Sequence, residues 1–153
     1  MIEPPQLTEV PAQAIAFIPL TIPREQIREV MEPGLKEIAQ VLQQQNIKIA
    51  GPWFTYHLRM QPDVFDFQIC IPTAAPVQPS GRVRAGERRA AKIARTVYHG
   101  PYEGLGDAWG EFMDWMKSQK LNPAADLWEC YTAGPESSDD PANWRTELNR
   151  PLR

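Results

Sequence analysis

The sequence contains few of the side chains that build metal centres, disulfide frameworks or nucleophilic active sites. Its 153 residues include two cysteines and two histidines. Cys70 and Cys130 belong to no C-x-x-C pair, and His57 and His99 lie away from them in the chain. Because a metal site needs ligands at closer spacings, the sequence predicts none. Both cysteines lie in apolar stretches, so we expect reduced thiols that pack as small core side chains.

The charge balance and the hydropathy pattern lack the features of a nucleic-acid-binding or membrane protein. The formal net charge of -3 gives no electrostatic reason to expect DNA, RNA or an anionic membrane as the main partner. No apolar run approaches the roughly 20 residues that span a bilayer. The opening MIEPPQLTEV has neither the basic nor the apolar region of a secretory signal, so we expect a cytoplasmic protein.

Motifs for phosphate binding and for a catalytic triad are also missing. No glycine-rich phosphate loop is present, and no cofactor is predicted. The run Ser137-Ser138-Asp139-Asp140 has the composition of a loop and no histidine close in sequence, so it does not indicate a triad. The basic residues between Arg82 and Arg95 are interrupted by Glu87, which favours a solvated connection over a phosphate-binding patch.

Proline, with sixteen residues, is abundant and divides the chain into short elements. Apolar residues from Ile27 to Leu42 recur at three- and four-residue steps, which predicts an amphipathic helix with a kink or a restart at Pro33. A second helix is predicted to begin at Gly100-Pro101. Strands are predicted at about residues 9–20, 53–60, 64–71, 90–99, 125–133 and 144–152, with a polar connection over residues 72–87.

The two halves of the chain match each other in element order and in sequence. Trp53-Phe54-Thr55-Tyr56 corresponds to Trp128-Glu129-Cys130-Tyr131, and PDVFDFQICIP corresponds to PANWRTELNRP. Two matches in the same order predict a duplicated β-α-β-β unit, with pseudo-repeats at about residues 7–72 and 88–153. The predicted fold is α+β, a single domain over residues 1–153 in which antiparallel strands pack against two main helices.

Glu129 is a position at which the two copies differ in chemistry. Strand alternation places Glu129 and Tyr131 on one face, and the correspondence of the two copies places Phe54 and Tyr56 on the equivalent face of the first copy. A phenylalanine in one copy therefore corresponds to a carboxylate in the other. Glutamate is a poor strand former, and this one is flanked by aromatic residues.

Two interpretations of Glu129 are open from the sequence. Most strand carboxylates point to water, and spacing alone favours that alternative. Trp144 and Thr146, on the neighbouring predicted strand, would instead complete an aromatic surface around Glu129 together with Tyr131. A desolvated carboxylate there would need a donor or a cationic ligand as its partner, which is typical of a functional site.

Other aromatic and titratable residues are assigned to structural roles. Tyr102, Trp109 and Phe112 follow a helical stripe, which favours the core over a pocket, although residues near the helix start could line a cavity edge. His57 and His99 are expected to be surface or hydrogen-bonded strand residues and not catalytic bases.

Nearly the whole sequence resembles the GyrI-like small-molecule-binding domain, the first half mainly in pattern and the second half in specific motifs. The resemblance rests on ARTVYHGPYEGLGDAWGEFMDWM, on LWECY and on DPANWRTELNRPL, which follow the family's order. This domain is the effector-binding part of AraC- and MerR-type multidrug regulators, and it also occurs as free-standing proteins. No helix-turn-helix segment precedes it here, so we do not expect transcriptional control by this chain alone.

The resemblance implies a pocket between the two halves and a family of ligands. Glu129 corresponds to the family's pocket glutamate, and Tyr131 and Trp144 correspond to pocket-lining positions, with Tyr56 expected to face the same groove. Phe54 and Thr146 complete the expected ligand-binding residues. The expected ligands are bulky, planar, often cationic aromatic molecules, which stack on Trp and Tyr and are attracted by π faces and a buried carboxylate.

An enzymatic alternative uses the same residues. Some free-standing proteins of this family hydrolyse cyclopropane-bearing, DNA-alkylating natural products, and there Glu129 would be the catalytic residue that activates water or stabilises developing charge. DNA gyrase as a partner is suggested by the family name alone, and nothing in these residues supports it.

Overall fold

The structure, a computed structural model, describes residues 2–23, 26–59, 64–134 and 137–153. Within them the chain forms eight strands and two α-helices, which confirms the predicted α+β class. The elements in chain order are β1 (Gln6–Val10), β2 (Gln13–Pro23), α1 (Ile27–Gln44), β3 (Phe54–Arg59), β4 (Val64–Pro72), β5 (Arg84–Arg88), β6 (Ala91–His99), α2 (Leu105–Ser118), β7 (Leu127–Ala133) and β8 (Arg145–Pro151). Neither helix has the length and apolarity that crossing a membrane requires, as far as the described residues show.

Residues 11–90 form one compact unit, here called the N-terminal unit. Its antiparallel strands lie in the order β3, β4, β2 and β5. α1 packs on one face of this sheet, where Ile38 of the helix and Ile18 and Ile69 of the strands are fully buried. The helix continues without interruption through Pro33, so the restart considered for that position does not occur.

Residues 1–10 and 91–153 form the other unit, here called the C-terminal unit. Its antiparallel strands lie in the order β1, β6, β8 and β7. α2 packs on one face, where its residues Phe112 and Met116 are buried in one cluster with Leu127 and Leu148 of the strands. In the part of the chain that the structure describes, each unit therefore contains four antiparallel strands and one amphipathic helix.

β1 and β5 are the elements that the sequence pattern did not resolve. The single strand predicted over residues 9–20 is replaced by β1 and β2, with Pro11 and Ala12 between them. The connection predicted over residues 72–87 contains most of β5. Although β1 precedes β2 in the chain, it pairs with β6, whereas β5 precedes β6 and pairs with β2. The first strand of each copy thus pairs with the second strand of the other copy, and we call this the exchange of first strands.

The strand registers of the two units correspond residue by residue. Thr55 of β3 pairs with Ile69 of β4 in the same way that Glu129 of β7 pairs with Leu148 of β8. In both pairs of strands a register shift follows two residues later. These shared registers support the predicted duplication and make Thr55 the structural counterpart of Glu129.

The alignment of the two copies predicted from the sequence is wrong by one residue. It equated Tyr56 with Tyr131, but the registers make His57 the counterpart of Tyr131. Phe54 and Tyr56 lie on the face of their sheet that is opposite α1, because their neighbours Thr55 and His57 pair with residues of the α1-packed face. The two tryptophans that the alignment superimposed are therefore not equivalent.

Both helices end in the same backbone motif. Asn46 (φ 55°) and Lys120 (φ 57°) follow the helix ends in the left-handed conformation. The next amides, those of Ile47 and Leu121, each donate back to a helical carbonyl oxygen at 3.0 Å. This Schellman arrangement ordinarily uses glycine or asparagine at the left-handed position, so lysine is the less favourable choice.

We expect Lys120→Gly to raise the free energy of unfolding by about 1 kcal/mol, because glycine removes the cost of a side chain in the left-handed region. Asn46→Gly is the matched control and should gain less, since asparagine tolerates this conformation. Urea unfolding in moderate salt, which screens the attraction between Lys120 and the helix end, measures both. Unchanged or reduced stability of Lys120→Gly would show that the left-handed conformation of this lysine carries no such cost.

Candidate functional site

The carboxylate of Glu129 lies between the sheet and the helix of the C-terminal unit. Its side chain projects from β7 on the face that packs against α2, and the residue is only 9% exposed. The indole Nε1–H of Trp109, on α2, donates to Oε2 at 2.6 Å. The hydroxyl of Tyr131, two residues along β7, donates to Oε1 at 2.7 Å. The solvent-pointing alternative for Glu129 is therefore wrong.

Neutral groups supply both hydrogen bonds to this carboxylate. Within the described residues, Glu129 forms no ion pair with a lysine, an arginine or a histidine. Two short bonds from O–H and N–H donors compensate part of the cost of desolvation but leave the negative charge in place. A positively charged group that approached Glu129 would therefore gain electrostatic energy.

Three partly exposed aromatic rings lie next to one another beside this carboxylate. The ring of Tyr102 contacts that of Tyr131 edge-on, with centroids 5.9 Å apart. It also lies 5.0 Å from the ring of Trp144, tilted by 34°. The indole N–H of Trp144 donates to the carbonyl of Ser138 at 2.9 Å, which fixes the orientation of the indole. We call Tyr102, Tyr131 and Trp144 the aromatic cluster.

Thr146 lies opposite Tyr131 on the neighbouring strand β8. It is fully buried, and its hydroxyl has no hydrogen-bond partner among the described residues. A buried hydroxyl without a partner is unfavourable for stability. Of the predicted site residues, the structure thus brings together Glu129, Tyr131, Trp144 and Thr146.

Two of the three residues that the helical stripe assigned to the core, Trp109 and Tyr102, belong to this site. Trp109 is buried as expected, but its indole N–H is one of the two donors to Glu129. Tyr102 lies on a 3-10 turn before α2 and belongs to the aromatic cluster. A sequence clue existed for Trp109, since a buried indole requires an acceptor. Counted back from the helix ends, its counterpart in α1 is Leu35, which has no such need.

The turn that carries Tyr102 is fixed by Tyr98 of β6. The hydroxyl of Tyr98 donates to the carbonyl of Pro101 at 2.8 Å. Burial raises the pKa of Tyr98, and the carboxylates of Glu103 and Asp107 raise that pKa further, so the hydroxyl keeps its proton and donates. The Tyr98 ring lies so close to Gly104 that a Cβ at that position would collide with it. These contacts position the Tyr102 ring.

The N-terminal unit has different chemistry at the positions equivalent to Glu129 and Tyr131. Thr55 and His57, both buried, are joined by a hydrogen bond of 3.1 Å between Oγ1 and Nε2. The His57 ring stacks on Phe67 at 5.4 Å. At this strand position, a carboxylate is thus present in only one of the two copies.

Phe54 and Tyr56 lie in the N-terminal unit, on the face opposite α1. Phe54 is buried, with 1% of its surface exposed. Tyr56 lines a shallow cleft of about 230 Å³ on that face. These two residues were expected beside Glu129 because of the alignment that the registers contradict, so their part in ligand binding stays a prediction.

Comparison with known proteins gives the same fold. The sequence matches the model of the GyrI-like small molecule binding domain over residues 3–153. The crystal structure of the EcmrR C-terminal domain has a TM-score of 0.87 at 18% identity, covering 98% of this chain and 97% of that one. The EcmrR chain in the EcmrR–DNA complex matches with a TM-score of 0.86 at 18% identity, covering 99% of this chain and 57% of that one.

Two further structures are relevant to ligands. SAV2435 bound to tetraphenylphosphonium matches with a TM-score of 0.65 at 13% identity, covering 99% of this chain and 94% of that chain. A hydrolase encoded by lin2189 from Listeria innocua matches with a TM-score of 0.68 at 12% identity, covering 97% and 91%. At these identities the likeness shows the fold alone. None of the curated protein sequences compared with this chain matches it. The match over nearly all its residues shows that the chain belongs to the GyrI-like small-molecule-binding domain family.

Proposed function

We propose that the C-terminal unit binds planar aromatic cations at Glu129 and the aromatic cluster. The observation that carries this proposal is the hydrogen bonding of Glu129. Its carboxylate is 9% exposed and is bonded by the neutral groups of Trp109 and Tyr131. A cationic ligand supplies the charge that these two donors do not supply.

Electrostatic attraction to the carboxylate of Glu129 favours cationic over neutral ligands. Two unit charges about 4 Å apart attract by roughly 4 kcal/mol at the effective dielectric constant near a protein surface. A cation that reaches Glu129 loses part of its hydration, so only a fraction of this attraction contributes to affinity. Delocalised aromatic cations are weakly hydrated for their size, and they therefore keep more of the gain than a compact ammonium group.

The aromatic cluster supplies the shape preference. Rings of Tyr and Trp bind flat ligands by offset stacking and attract cations that lie over their faces. Tyr102 contacts both Tyr131 and Trp144, and a ligand that stacks on either ring replaces part of that contact. All three rings are partly exposed, so this exchange does not require the core to open.

The comparisons support the aromatic and cationic character of the proposed ligand, but not its planarity. The family is one of small-molecule-binding domains, and SAV2435 has a structure bound to tetraphenylphosphonium, an aromatic cation. We extend that class to this chain because its own Glu129 and aromatic cluster provide the charge and the rings.

Glu129→Gln is expected to weaken binding of N-methylacridinium at least about tenfold, which corresponds to roughly 1.4 kcal/mol. Binding of acridine, its neutral analogue at pH 8, should change by less than about twofold, because the substitution removes charge and not shape. The glutamine can still accept from Trp109 and donate to the Tyr131 oxygen, so the fold should be retained. Tryptophan fluorescence titrations measure both ligands.

Glu147→Gln is the matched control for this experiment. Glu147 lies on β8 and its carboxylate is 3.4 Å from the Arg95 guanidinium, on the face opposite Glu129. Its removal should leave the affinities for both acridines unchanged. An equal loss of the cationic and the neutral ligand in Glu129→Gln would show that the carboxylate does not select for charge.

Hydrolysis of a cyclopropane-bearing aromatic compound is the second candidate function. It is favoured by the fixed position of Glu129, since each carboxylate oxygen accepts one hydrogen bond in the structure and has a further lone pair for water. Glu129 would take a proton from water while the water oxygen bonds to a cyclopropane carbon. The ring C–C bond breaks, its electron pair enters the conjugated ring system, and the resulting phenolate takes the proton.

Incubation with a duocarmycin-type compound separates the two functions. If the protein is a hydrolase, mass spectrometry detects a ring-opened product that has gained one water, and Glu129→Gln forms none of it above the protein-free rate. Binding of the intact compound without that product limits the protein to sequestration. Undiminished turnover by Glu129→Gln would reject the mechanism.

A further inference from the structure

The hydroxyl of Thr146 is a buried hydrogen-bonding group without a partner in the described part of the chain. Thr146 has no exposed surface, and its Oγ1 forms no hydrogen bond there. Folded proteins seldom leave a buried hydroxyl unbonded, because the cost of removing it from water is then uncompensated. On the basis of the function proposed above, we propose that this hydroxyl donates to an acceptor atom of the ligand at Glu129. The site would then select aromatic cations that carry such an acceptor.

The strand registers place Thr146 at the floor of the aromatic cluster. On the sheet face that packs against α2, Thr146 of β8 lies between Tyr98 of β6 and Tyr131 of β7. Trp144 precedes Thr146 by two residues in extended backbone, so the two side chains project from the same face. The ring of Tyr102 contacts the rings of Tyr131 and Trp144. A flat ligand that inserts between these rings therefore reaches Thr146.

Three donors beside Thr146 are already committed to protein acceptors. The indole of Trp109 and the hydroxyl of Tyr131 donate to Glu129. The indole of Trp144 donates to a backbone carbonyl at 2.9 Å. An ionised carboxylate accepts hydrogen bonds and donates none. Of these groups, Thr146 is thus the one that has a proton to share with a carbonyl or a ring heteroatom of a ligand.

Comparison of the two units shows that the fold does not require a hydroxyl at this position. Thr146 pairs with Tyr131. The counterpart of Tyr131 is His57, which pairs with Phe67. Phe67 is therefore the counterpart of Thr146, and it is buried with 1% of its surface exposed. The same position packs as an apolar side chain in one unit, and the hydroxyl occurs in the unit that carries Glu129.

Thr146→Val removes the hydroxyl and keeps the shape of the side chain. Because a buried group without a partner is removed, the equilibrium constant for folding should rise about fivefold in urea unfolding of the full chain. Thr96→Val is the matched control, since buried Thr96 donates to the carbonyl of Glu3 at 2.7 Å, and loss of that bond should lower the constant. A fall for Thr146→Val as well would show that its hydroxyl is bonded in the ligand-free protein, which overturns the proposal.

The ligand test compares acetyl-N-methylacridinium with isopropenyl-N-methylacridinium. The two have the same charge and nearly the same shape, but the acetyl compound carries a carbonyl acceptor. Both are made with the substituent at ring position 2, 3 or 4, so that the acceptor is presented at different points of one edge. By calorimetric titration, Thr146→Val should weaken at least one acetyl isomer about tenfold and its isopropenyl counterpart less than about twofold. Thr146→Ser, which keeps the hydroxyl, should retain binding of that acetyl isomer within about threefold.

Two further variants separate the role of Thr146 from that of Glu129. Thr73→Val removes another buried hydroxyl that has no partner among the described residues, in the N-terminal unit, and should leave every affinity unchanged. Glu129→Gln should weaken the acetyl and isopropenyl cations alike. Cations that bind through Glu129, with no acetyl isomer more sensitive to Thr146→Val than its counterpart, overturn the role of Thr146 and leave the proposed function standing. Failure of every cation to bind the unmodified chain at millimolar concentration overturns both.

Discussion

The hydrogen bonds from Trp109 and Tyr131 to Glu129 connect the helix of the C-terminal unit with its sheet through a buried carboxylate. A negative charge at 9% exposure is costly, and the two bonds make it tolerable without neutralising it. The same bonds hold Tyr131 where its ring meets Tyr102, so the position of the charge and the position of the aromatic cluster are determined together.

The duplicated fold explains why such a group can be accommodated. The N-terminal unit has the same registers with Thr55 and His57 at these positions, and Leu35 where α2 has Trp109. The hydroxyl of Thr55 and the imidazole of His57 are hydrogen-bonded to each other, and the leucine of α1 offers no side-chain donor. The carboxylate and its indole donor therefore both differ from their counterparts in the other copy, and they differ together. This is expected where a site is built on a stable framework.

Much of the fold could be predicted from the sequence because its elements have strong periodicity and proline boundaries. The helices and the strands β3, β4, β6, β7 and β8 fall close to their predicted places. β5 was missed because its sequence RAGER shows no apolar alternation, and its pairing with β2 is a long-range contact that local patterns do not indicate. The exchange of first strands could not be predicted either, because it also consists of long-range strand pairing.

The candidate site was predictable where one strand carries the chemistry, and it was not where the chemistry depends on register or on another element. Glu129 and Tyr131 follow from alternation along β7. Tyr56 was placed with them by an alignment one residue out of register, an error that transfers a side chain to the opposite face of a sheet. Trp109 was missed because a helical stripe does not distinguish packing from hydrogen bonding.

A crystal structure of the protein with N-methylacridinium tests most directly whether Glu129 and the aromatic cluster form one cation site. We expect the cation to stack on Tyr131 or Trp144, its ring within about 6 Å of the aromatic centroids, with the carboxylate of Glu129 facing the charged ring. The Trp109 bond to Glu129 should persist. A cation bound elsewhere, with Glu129 still enclosed behind the aromatic cluster, would contradict the proposed site.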